Sequence, residues 1–414
     1  MKILSNAFKG LKPMMPKMST YFALIFTFLS FNVKSQELNT GPWRFELKTE
    51  HATIPFIIEL HWNKKRLIGK IFNGKEVIVL NEIIVAGKKI KIPLQMYESS
   101  LLLTIEKPGY LVGHHVRHNK KPEILTPITG THGMKERFPG VKSPAEIDLG
   151  GRWKMSLRDE HNQESLGIGL FEQKGDYFTG SILTPTGDYR YLEGFVSGRI
   201  FEAASFDGVF NYLIKGKITK NGKMTAELLS GSKTIISGEK NAGVILPDAY
   251  AQTQVSALDF KFPDLKGHAV TLNDKKFKNK PVIIQFFGSW CPNCIDEMNY
   301  LIPWYKNNAG KGIEIVALSF ERSLTEIDAK RQLIKVQKKK QVPYTMLLAG
   351  ATPNDKPMDK IPGLKNFLSF PTMVFLNKKH IVIKVHTGFT GPGTGEFFEK
   401  WKMEFEQTVK DLLK

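Results

Sequence analysis

Between Gly41 and about Leu246 the chain consists of short segments in which apolar and polar residues alternate. Residues 55–60, 77–80 and 167–171 are examples, and turn residues separate one segment from the next. A repeat of two places alternate side chains on opposite faces of a strand, and helical periodicity is nearly absent here. The pattern predicts an antiparallel all-β region.

Two similar segments begin the two halves of this region. Residues 41–47 (GPWRFEL) and 151–157 (GRWKMSL) each contain a tryptophan followed by a base and then alternating apolar residues. Their spacing is too long for a solenoid repeat. We predict two β subdomains, residues 36–145 and 146–248, and the matched segments suggest that they arose by duplication.

Three histidines, His114, His115 and His118, lie between the two halves, before a stretch rich in proline and glycine that runs to Pro144. Histidine is a common metal ligand, but no neighbouring carboxylate or fourth ligand completes a site here. We therefore expect an exposed polar loop, and we expect no metal and no other cofactor in the protein.

From residue 253 to residue 414 the pattern changes to alternating strands and helices, after a candidate linker of small and polar residues at 241–255. A leading hairpin is predicted over residues 259–272, and Thr394 is expected to cap the last helix. The other predicted strands are 281–287, 313–318, 344–348, 372–376 and 381–385, and the predicted helices are 292–307, 324–340 and 395–413. This order is typical of an α/β domain.

The first 35 residues contain lysines but no acidic residue. A basic segment to Lys17, an apolar run over 21–31 and small residues near Ser35 form the pattern of an export signal. The apolar run is shorter than a bilayer span. We predict a signal peptide over residues 1–35 and an exported protein, with the bacterial periplasm as the expected compartment; an uncleaved N-terminal anchor is the alternative.

The net charge is +19, from 59 Lys and Arg against 40 Asp and Glu. An excess of this size is found in proteins that bind nucleic acid. The lysines are scattered, however, and the densest group, at 335–340, fits the solvated end of a helix. Since exported proteins also rarely meet nucleic acid, we expect no nucleic-acid partner.

The two cysteines, Cys291 and Cys294, lie together in the segment WCPNC between an apolar run and a helical pattern. Unpaired N–H groups and the dipole at a helix N-terminus favour the thiolate of the first cysteine. The second can attack a mixed disulfide that the first has formed. A structural zinc site would need four ligands. Because exported proteins normally use cysteines to staple their folds, a single pair of this kind favours catalysis.

Three motifs resemble the TlpA/ResA-like branch of the thioredoxin superfamily. They are the leading hairpin with Asp259 and Gly267, the segment 286–294 (FFGSWCPNC), and residues 370–372 (FPT). The resemblance covers the region from residue 253 to residue 414. It implies a thioredoxin-like domain there, with a central mixed sheet flanked by helices and a cis peptide bond before Pro371.

The resemblance also implies roles for individual residues. Cys291 would be the exposed nucleophile and Cys294 the resolving thiol of a redox disulfide. Glu297 matches a family carboxylate that handles protons, although a helix-dipole partner is the alternative. Gln285 stands where thioredoxins carry a buried acid, which leaves Glu297 as the only nearby carboxylate candidate. The residues expected to dock or position the substrate are Trp290, Pro292, Phe370 and Pro371.

The implied function is a thiol–disulfide oxidoreductase that reduces protein disulfides outside the cytoplasm, with a membrane-bound thiol as electron donor. That the protein reduces disulfides rather than forms them is inferred from the resemblance alone. The intervening pair Pro292-Asn293 matches neither the Gly-Pro pair of reducing thioredoxins nor the Pro-His pair of strong oxidants. A redoxin-type peroxidase is one alternative, but Gly288 occupies the position where that class needs Thr or Ser. A partner-binding β module with an accessory thioredoxin-like domain is the other.

Overall fold

The computed structural model describes residues 38–94, 96–140, 142–247, 254–255 and 258–414. The predicted signal peptide and much of the candidate linker lie outside these ranges. In the part that is described, no helix has the length and apolar character needed to cross a membrane.

The first half of the β region is an antiparallel sheet, with nine strands among the described residues. Its strand order is β4-β3-β2-β1-β9-β8-β7-β6-β5, so nearly every strand pairs with its neighbour in sequence. The strands are β1 Gly41–Lys48, β2 Thr53–Asn63, β3 Arg66–Asn73, β4 Glu76–Leu80, β5 Ile84–Ala86, β6 Lys89–Pro93, β7 Ser99–Lys107, β8 Tyr110–Arg117 and β9 Ile124–His132.

The second half is also antiparallel, and β11 pairs with both β10 and β12, which closes the sheet into a barrel. The strand order among the described residues is β11-β10-β18-β17-β16-β15-β14-β12-β13. The strands are β10 Gly151–Arg158, β11 Glu164–Lys174, β12 Tyr177–Thr184, β13 Gly187–Asp188, β14 Leu192–Ser197, β15 Ile200–Phe206, β16 Asn211–Ile218, β17 Lys223–Leu229 and β18 Lys233–Lys240. The predicted antiparallel β region is confirmed.

The two tryptophans of the matched segments occupy equivalent places in β1 and β10. Trp43 and Trp153 are each only 1% exposed. Each donates its indole N–H to the carbonyl oxygen of the residue four positions earlier, Asn39 at 2.9 Å and Leu149 at 2.8 Å. The similarity in sequence therefore corresponds to a similar local structure at the start of each half.

The expectation of an exposed histidine loop is wrong. His114 and His115 lie in β8, which pairs with β7 and β9. His115 is 1% exposed and packs edge-on against Phe206, with ring centroids 5.7 Å apart. Burial lowers the pKa of His115 to about 4, so the ring is neutral near pH 7. A run of polar residues resembles a loop in sequence, whereas in a central strand every second one of them faces the core.

The C-terminal region contains a sheet whose strand order, within the described residues, is β24-β23-β22-β26-β27. The pairs β22–β23 and β23–β24 are parallel, and β26 pairs antiparallel with both β22 and β27. The strands are β19 Gln254–Val255, β20 Lys261–Pro263, β21 Ala269–Thr271, β22 Val282–Phe287, β23 Glu314–Phe320, β24 Thr345–Gly350, β25 Leu364–Lys365, β26 Thr372–Leu376 and β27 Val382–Thr387. The helices are α1 Pro292–Asn308, α2 Glu326–Lys340, α3 Pro357–Lys360 and α4 Glu396–Leu413, with short 3-10 turns at Ala309–Lys311 and Pro392–Thr394.

Both faces of this sheet are covered, and all six residues of β22 are buried. Helices α1, α2 and α4 share one hydrophobic cluster with one face, and the β20–β21 hairpin and the segment around Ile361 cover the other. A strand buried on both faces is nearly continuously apolar, and β22 is apolar at every position except Gln285. Its carboxyl end leads directly to the cysteines.

The predicted cap of α4 is wrong. Gly395, at φ +58°, is the N-cap residue and supplies no side-chain hydrogen bond. Thr394 instead closes the preceding 3-10 turn, where its hydroxyl donates to the carbonyl oxygen of Gly391 at 2.7 Å. A positive φ angle favours glycine at the N-cap position. The helix therefore begins one residue later than a cap at Thr394 predicts.

Candidate active site

The turn from β22 into α1 places both cysteines at a helix N-terminus. Cys291 is the N-cap residue of α1, Pro292 follows at the first helical position, and Cys294 lies in the first turn. The cysteines form a disulfide with a Cα–Cα distance of 5.2 Å. The sulfur of Cys291 accepts the backbone N–H of Cys294 at 3.2 Å. Because the first turn, which is described in full, contains no acid, the positive end of the helix acts on this sulfur without compensation.

The segment before β26 forms the opposite wall of the site. The peptide bond between Phe370 and Pro371 is cis, as the resemblance implied. The sulfur of Cys291 lies 3.8 Å from the carbonyl oxygen of Phe370. The ring of Phe370 meets Trp290 edge-on, with centroids 5.5 Å apart. The fold therefore brings together the residues expected to dock or position a substrate.

The reactive pair is less accessible than expected. The resemblance implied an exposed nucleophile, but Cys291 is only 4% exposed and Cys294 is completely buried. The physical reason is a contact between residues that are far apart in the sequence. The side chain of Asn293, between the cysteines, donates to the carbonyl oxygen of Asp188 at 3.0 Å, so part of the β barrel lies against the motif.

Glu297 lies behind the cysteines, on the same helix and completely buried. Its Oε2 accepts a hydrogen bond from Nε2 of Gln285 at 2.7 Å. Burial raises the pKa of Glu297 to about 8, and the hydrogen bond from Gln285 lowers it by a smaller amount. Among the described residues, Oε1 of Glu297 and Oε1 of Gln285 have no partner. When Glu297 is protonated, its O–H group supplies the hydrogen-bond donor that these two buried oxygen atoms lack.

The expectation that Glu297 is the only carboxylate near the motif is wrong. Glu321 follows β23 and is buried beside Ser289, two residues before Cys291. It accepts the hydroxyl of Ser289 at 2.5 Å and the backbone N–H of Ser289 at 3.2 Å, and the hydroxyl of Ser319 also binds it. Burial raises its pKa. Glu321 therefore holds the loop before the cysteines. It reaches this loop because β23 lies beside β22 as its parallel neighbour.

One edge of the site is aromatic and positively charged. The guanidinium of Arg322 stacks over the indole of Trp290 at 3.3 Å from the ring centroid. The indole N–H donates to the carbonyl oxygen of Phe320 at 2.9 Å, which fixes the ring. Trp290 is partly exposed and Arg322 is exposed. A stacked cation of this kind keeps the indole in place while leaving the guanidinium free to face a ligand.

Comparison with known proteins places this site in a family context. The AhpC/TSA family profile matches residues 253–385. The thiol-disulfide oxidoreductase ResA of Bacillus thuringiensis subsp. konkukian is 39% identical over 67 residues, which are 16% of this chain and 38% of that protein. ResA of Halalkalibacterium halodurans is 26% identical over 155 residues, 37% of this chain and 80% of that protein. The chain thus spans less than two thirds of the first of these relatives.

Two solved structures are also similar to part of the chain. A thiol:disulfide interchange protein of the thioredoxin family from Chlorobium tepidum is 21% identical, and the match covers 39% of this chain and 97% of that one with a TM-score of 0.30. A thiol-disulfide oxidoreductase from Bacteroides fragilis is 18% identical over 35% of this chain and 98% of its own, with a TM-score of 0.27.

Proposed function

We propose that this protein, whose C-terminal region belongs to the TlpA/ResA-like branch of the thioredoxin superfamily, is a thiol–disulfide oxidoreductase that works through Cys291 and Cys294. The observation that carries the proposal is the disulfide at the N-terminus of α1, where the sulfur of Cys291 lies 3.8 Å from the carbonyl oxygen of Phe370. A helix N-terminus stabilises a thiolate, and the thiolate is the species that attacks disulfides.

In the proposed reaction the dithiol form donates two electrons. The thiolate of Cys291 attacks one sulfur of a substrate disulfide, forms a mixed disulfide and expels the other substrate sulfur as a thiolate. Cys294 then loses its proton and attacks Cys291, which releases the second substrate thiol and leaves the Cys291–Cys294 disulfide. A thiol donor must reduce that disulfide before the next cycle.

Glu297 is the proposed proton carrier for Cys294. It lies three residues further along α1, which places it on the same side of the helix. Because its raised pKa keeps it protonated near neutral pH, the carboxyl group can protonate the Cys294 thiolate when the disulfide is reduced. It can take the proton back when Cys294 attacks.

The setting of this reaction is proposed from the sequence. A leader over residues 1–35 would export the protein, with the periplasm as its compartment and a membrane-bound thiol as its electron donor. Protein disulfides would be the substrates. The β subdomains over 36–145 and 146–248 are proposed to be duplicated units, a view that the equivalent places of Trp43 and Trp153 support.

A peroxidase is disfavoured by the space around Gly288. A Cβ atom added there would lie 2.2 Å from the indole nitrogen of Trp290 and 2.8 Å from the carbonyl oxygen of Phe320. The Thr or Ser that redoxin-type peroxidases need at this position therefore does not fit. Rapid turnover of hydroperoxide by the purified protein would contradict the proposed function.

Cysteine substitutions test the mechanism directly. The Cys291→Ser variant should lose reduction of a model disulfide such as insulin, because the remaining thiol, Cys294, is completely buried. The Cys294→Ser variant should retain the first step and accumulate mixed disulfides, which non-reducing electrophoresis and mass spectrometry detect. A Cys291→Ser variant with wild-type activity would refute the proposal.

A further inference from the structure

A hairpin of the β barrel lies directly on the candidate active site. We call residues 183–190 the cover hairpin: they comprise the end of β12, a turn at Pro185 and Thr186, the short strand β13, and the two residues that follow it. Leu183 pairs with Asp188 and Thr184 with Gly187. Gly187 and Asp188, which form β13, are buried although they lie near the tip of a hairpin, so residues outside the barrel cover them.

The cover hairpin binds three separate segments around the disulfide. In the first turn of α1, Asn293 donates to the carbonyl oxygen of Asp188 at 3.0 Å. On the segment before the cis peptide, the hydroxyl of Ser369 donates to the carbonyl oxygen of Thr186 at 3.2 Å. On the loop after β27, the backbone N–H of Gly391 donates to the Asp188 carboxylate at 2.6 Å. Together these contacts hold the hairpin across one side of Cys291.

The contact leaves no room for a side chain on either partner. Gly187 has φ +133°, and a Cβ added to it would lie 2.9 Å from Nδ2 of Asn293. Gly388, on the opposite side of the interface, has φ +77°, and a Cβ there would lie 2.7 Å from the carbonyl carbon of Thr186. Glycine at both positions therefore allows the two backbones to approach each other closely.

An ion cluster anchors the base of the cover hairpin. Arg190 is buried and reaches Asp296 of α1, where its Nε lies 2.7 Å from Oδ2. Its other nitrogens bind Asp207 at 2.6 Å and Glu76. The hairpin is therefore tied to the helix that carries the cysteines. It is held both at its tip and at its base.

Trp290, directly before Cys291, makes no hydrogen bond to this hairpin among the described residues; its indole N–H donates to Phe320 instead. Trp290 is partly exposed, and the guanidinium of Arg322 stacks on its ring. Leu368, two residues before Phe370, is 39% exposed. The thiolate of Cys291 must approach a substrate sulfur nearly in line with the substrate S–S bond that breaks. A substrate can therefore react only if it can reach Cys291 from a side that the protein leaves open. With the opposite side closed, a substrate must enter past the indole.

We infer that the cover hairpin determines which substrates the dithiol accepts: it admits narrow disulfides, carried on small molecules or on extended peptide segments, and excludes disulfides on folded protein surfaces. This inference rests on the proposed function and specifies the substrates of the same site. A folded protein presents a broad surface around its sulfur and would collide with the hairpin. An extended segment needs only the width of one chain.

Two glycine substitutions test the inference from opposite sides of the interface. Gly187→Ala and Gly388→Ala should each force the hairpin away from the cysteine loop. Loss of one neutral hydrogen bond shifts such an equilibrium by about fivefold. Reduction of insulin should therefore accelerate by about fivefold or more in both variants, while reduction of oxidised glutathione changes less than about twofold. The matched controls are Gly175→Ala and Gly267→Ala, at positive φ but in open space, and they should change neither rate.

A second measurement does not require turnover. In the reduced wild-type protein, Cys291 should react readily with iodoacetamide but slowly with a maleimide attached to a large polyethylene glycol, and both cover variants should lose this difference. Equal rates for the two reagents in the wild-type protein would overturn the inference. If neither disulfide is reduced by any form of the protein, the proposed function fails, whereas the alkylation rates still decide whether the cover exists.

Discussion

At the scale of single residues, Gln285 and Glu297 form a buried pair behind the cysteines. A carboxyl group with a pKa of about 8 stays protonated in the folded protein at pH values where it is ionised in the unfolded chain, whose reference pKa is 4.5. Below pH 4.5 both states hold the proton and the folded state has its full stability. As the pH rises towards 8 the unfolded state gains from releasing its proton, so the free energy of unfolding falls.

The Glu297→Gln variant should therefore lose part of the pH dependence of stability. In the wild-type protein the decline amounts to about 1.4 kcal/mol for each unit by which the folded and unfolded pKa values differ. Glutamine does not titrate, so the variant should gain stability relative to the wild type above pH 8 and lose that advantage in acid. Urea unfolding near both limits measures this, with the exposed Glu399→Gln as control. An unchanged profile would show that Glu297 is ionised in the folded state.

The same variant tests the role of Glu297 in proton transfer. If the carboxyl group protonates Cys294, Glu297→Gln should slow thiol–disulfide exchange near neutral pH without unfolding the domain. The pH dependence of alkylation should still show Cys291 reacting first, with a pKa below the free value of about 8.5. Exchange rates equal to those of the wild type would leave Glu297 with a structural role.

At the scale of elements, α1 carries the cysteines at its N-terminus and a proline, Pro303, in its interior. Proline has no N–H to donate to the carbonyl oxygen of Asn299, four residues earlier, and its ring crowds that carbonyl. Pro303 is exposed, so its side chain contributes little packing. The helix therefore contains a weak point more than two turns from the reactive sulfur.

The Pro303→Ala variant should be more stable than the wild type. The helix gains a hydrogen bond and loses a clash of about 3 kcal/mol, partly offset by about 1 kcal/mol because the unfolded chain becomes more flexible. Thermal unfolding should show the increase, whereas disulfide reduction should not change because the cysteines are distant. Lys306→Ala, an exposed change in the same helix, is the control. A lower melting temperature would mean that the surrounding packing requires the bend.

At the scale of the whole molecule, Arg190 joins three parts of the chain. Its partners are Glu76 in the first sheet, Asp207 in the barrel and Asp296 in α1. One guanidinium faces one buried carboxylate, that of Asp207, and the two partly buried carboxylates of Glu76 and Asp296. Burial raises the pKa values of Glu76 and Asp207. Residues Gln36–Lys414 form one compact unit, and this cluster is one of the contacts that connect its parts.

The Arg190→Met variant should lose about 3–5 kcal/mol of unfolding free energy, because it leaves the buried carboxylate of Asp207 and two partly buried carboxylates without their cation. Arg199→Met is the matched control, since Arg199 binds the backbone carbonyl oxygens of Ile218 and Thr219 rather than acids. Urea unfolding of the two variants under the same conditions measures the difference. Equal losses in both would show that the cluster contributes no more than ordinary hydrogen bonds.

Much of the C-terminal region could be predicted because its signals are local. Strand β26 occurs at the predicted residues 372–376, and α1 differs from its prediction by one residue at its C-terminal end. Helix α2 begins two residues after its predicted start because Thr325 caps it by accepting the N–H of Asp328. Such ends depend on single side-chain hydrogen bonds, which hydrophobic periodicity does not record.

The sequence by itself determined the antiparallel β region, the alternation of strands and helices after it, and the position of the cysteine pair at a strand–helix junction. These follow from periodicity and from adjacency along the chain. Only the tertiary structure decided that Glu321 supports the cysteine loop, that His115 is buried, and that Asn293 meets Asp188, 105 residues away. Contacts between residues so distant in sequence depend on how separately formed sheets pack together, and no local pattern of residues encodes that packing.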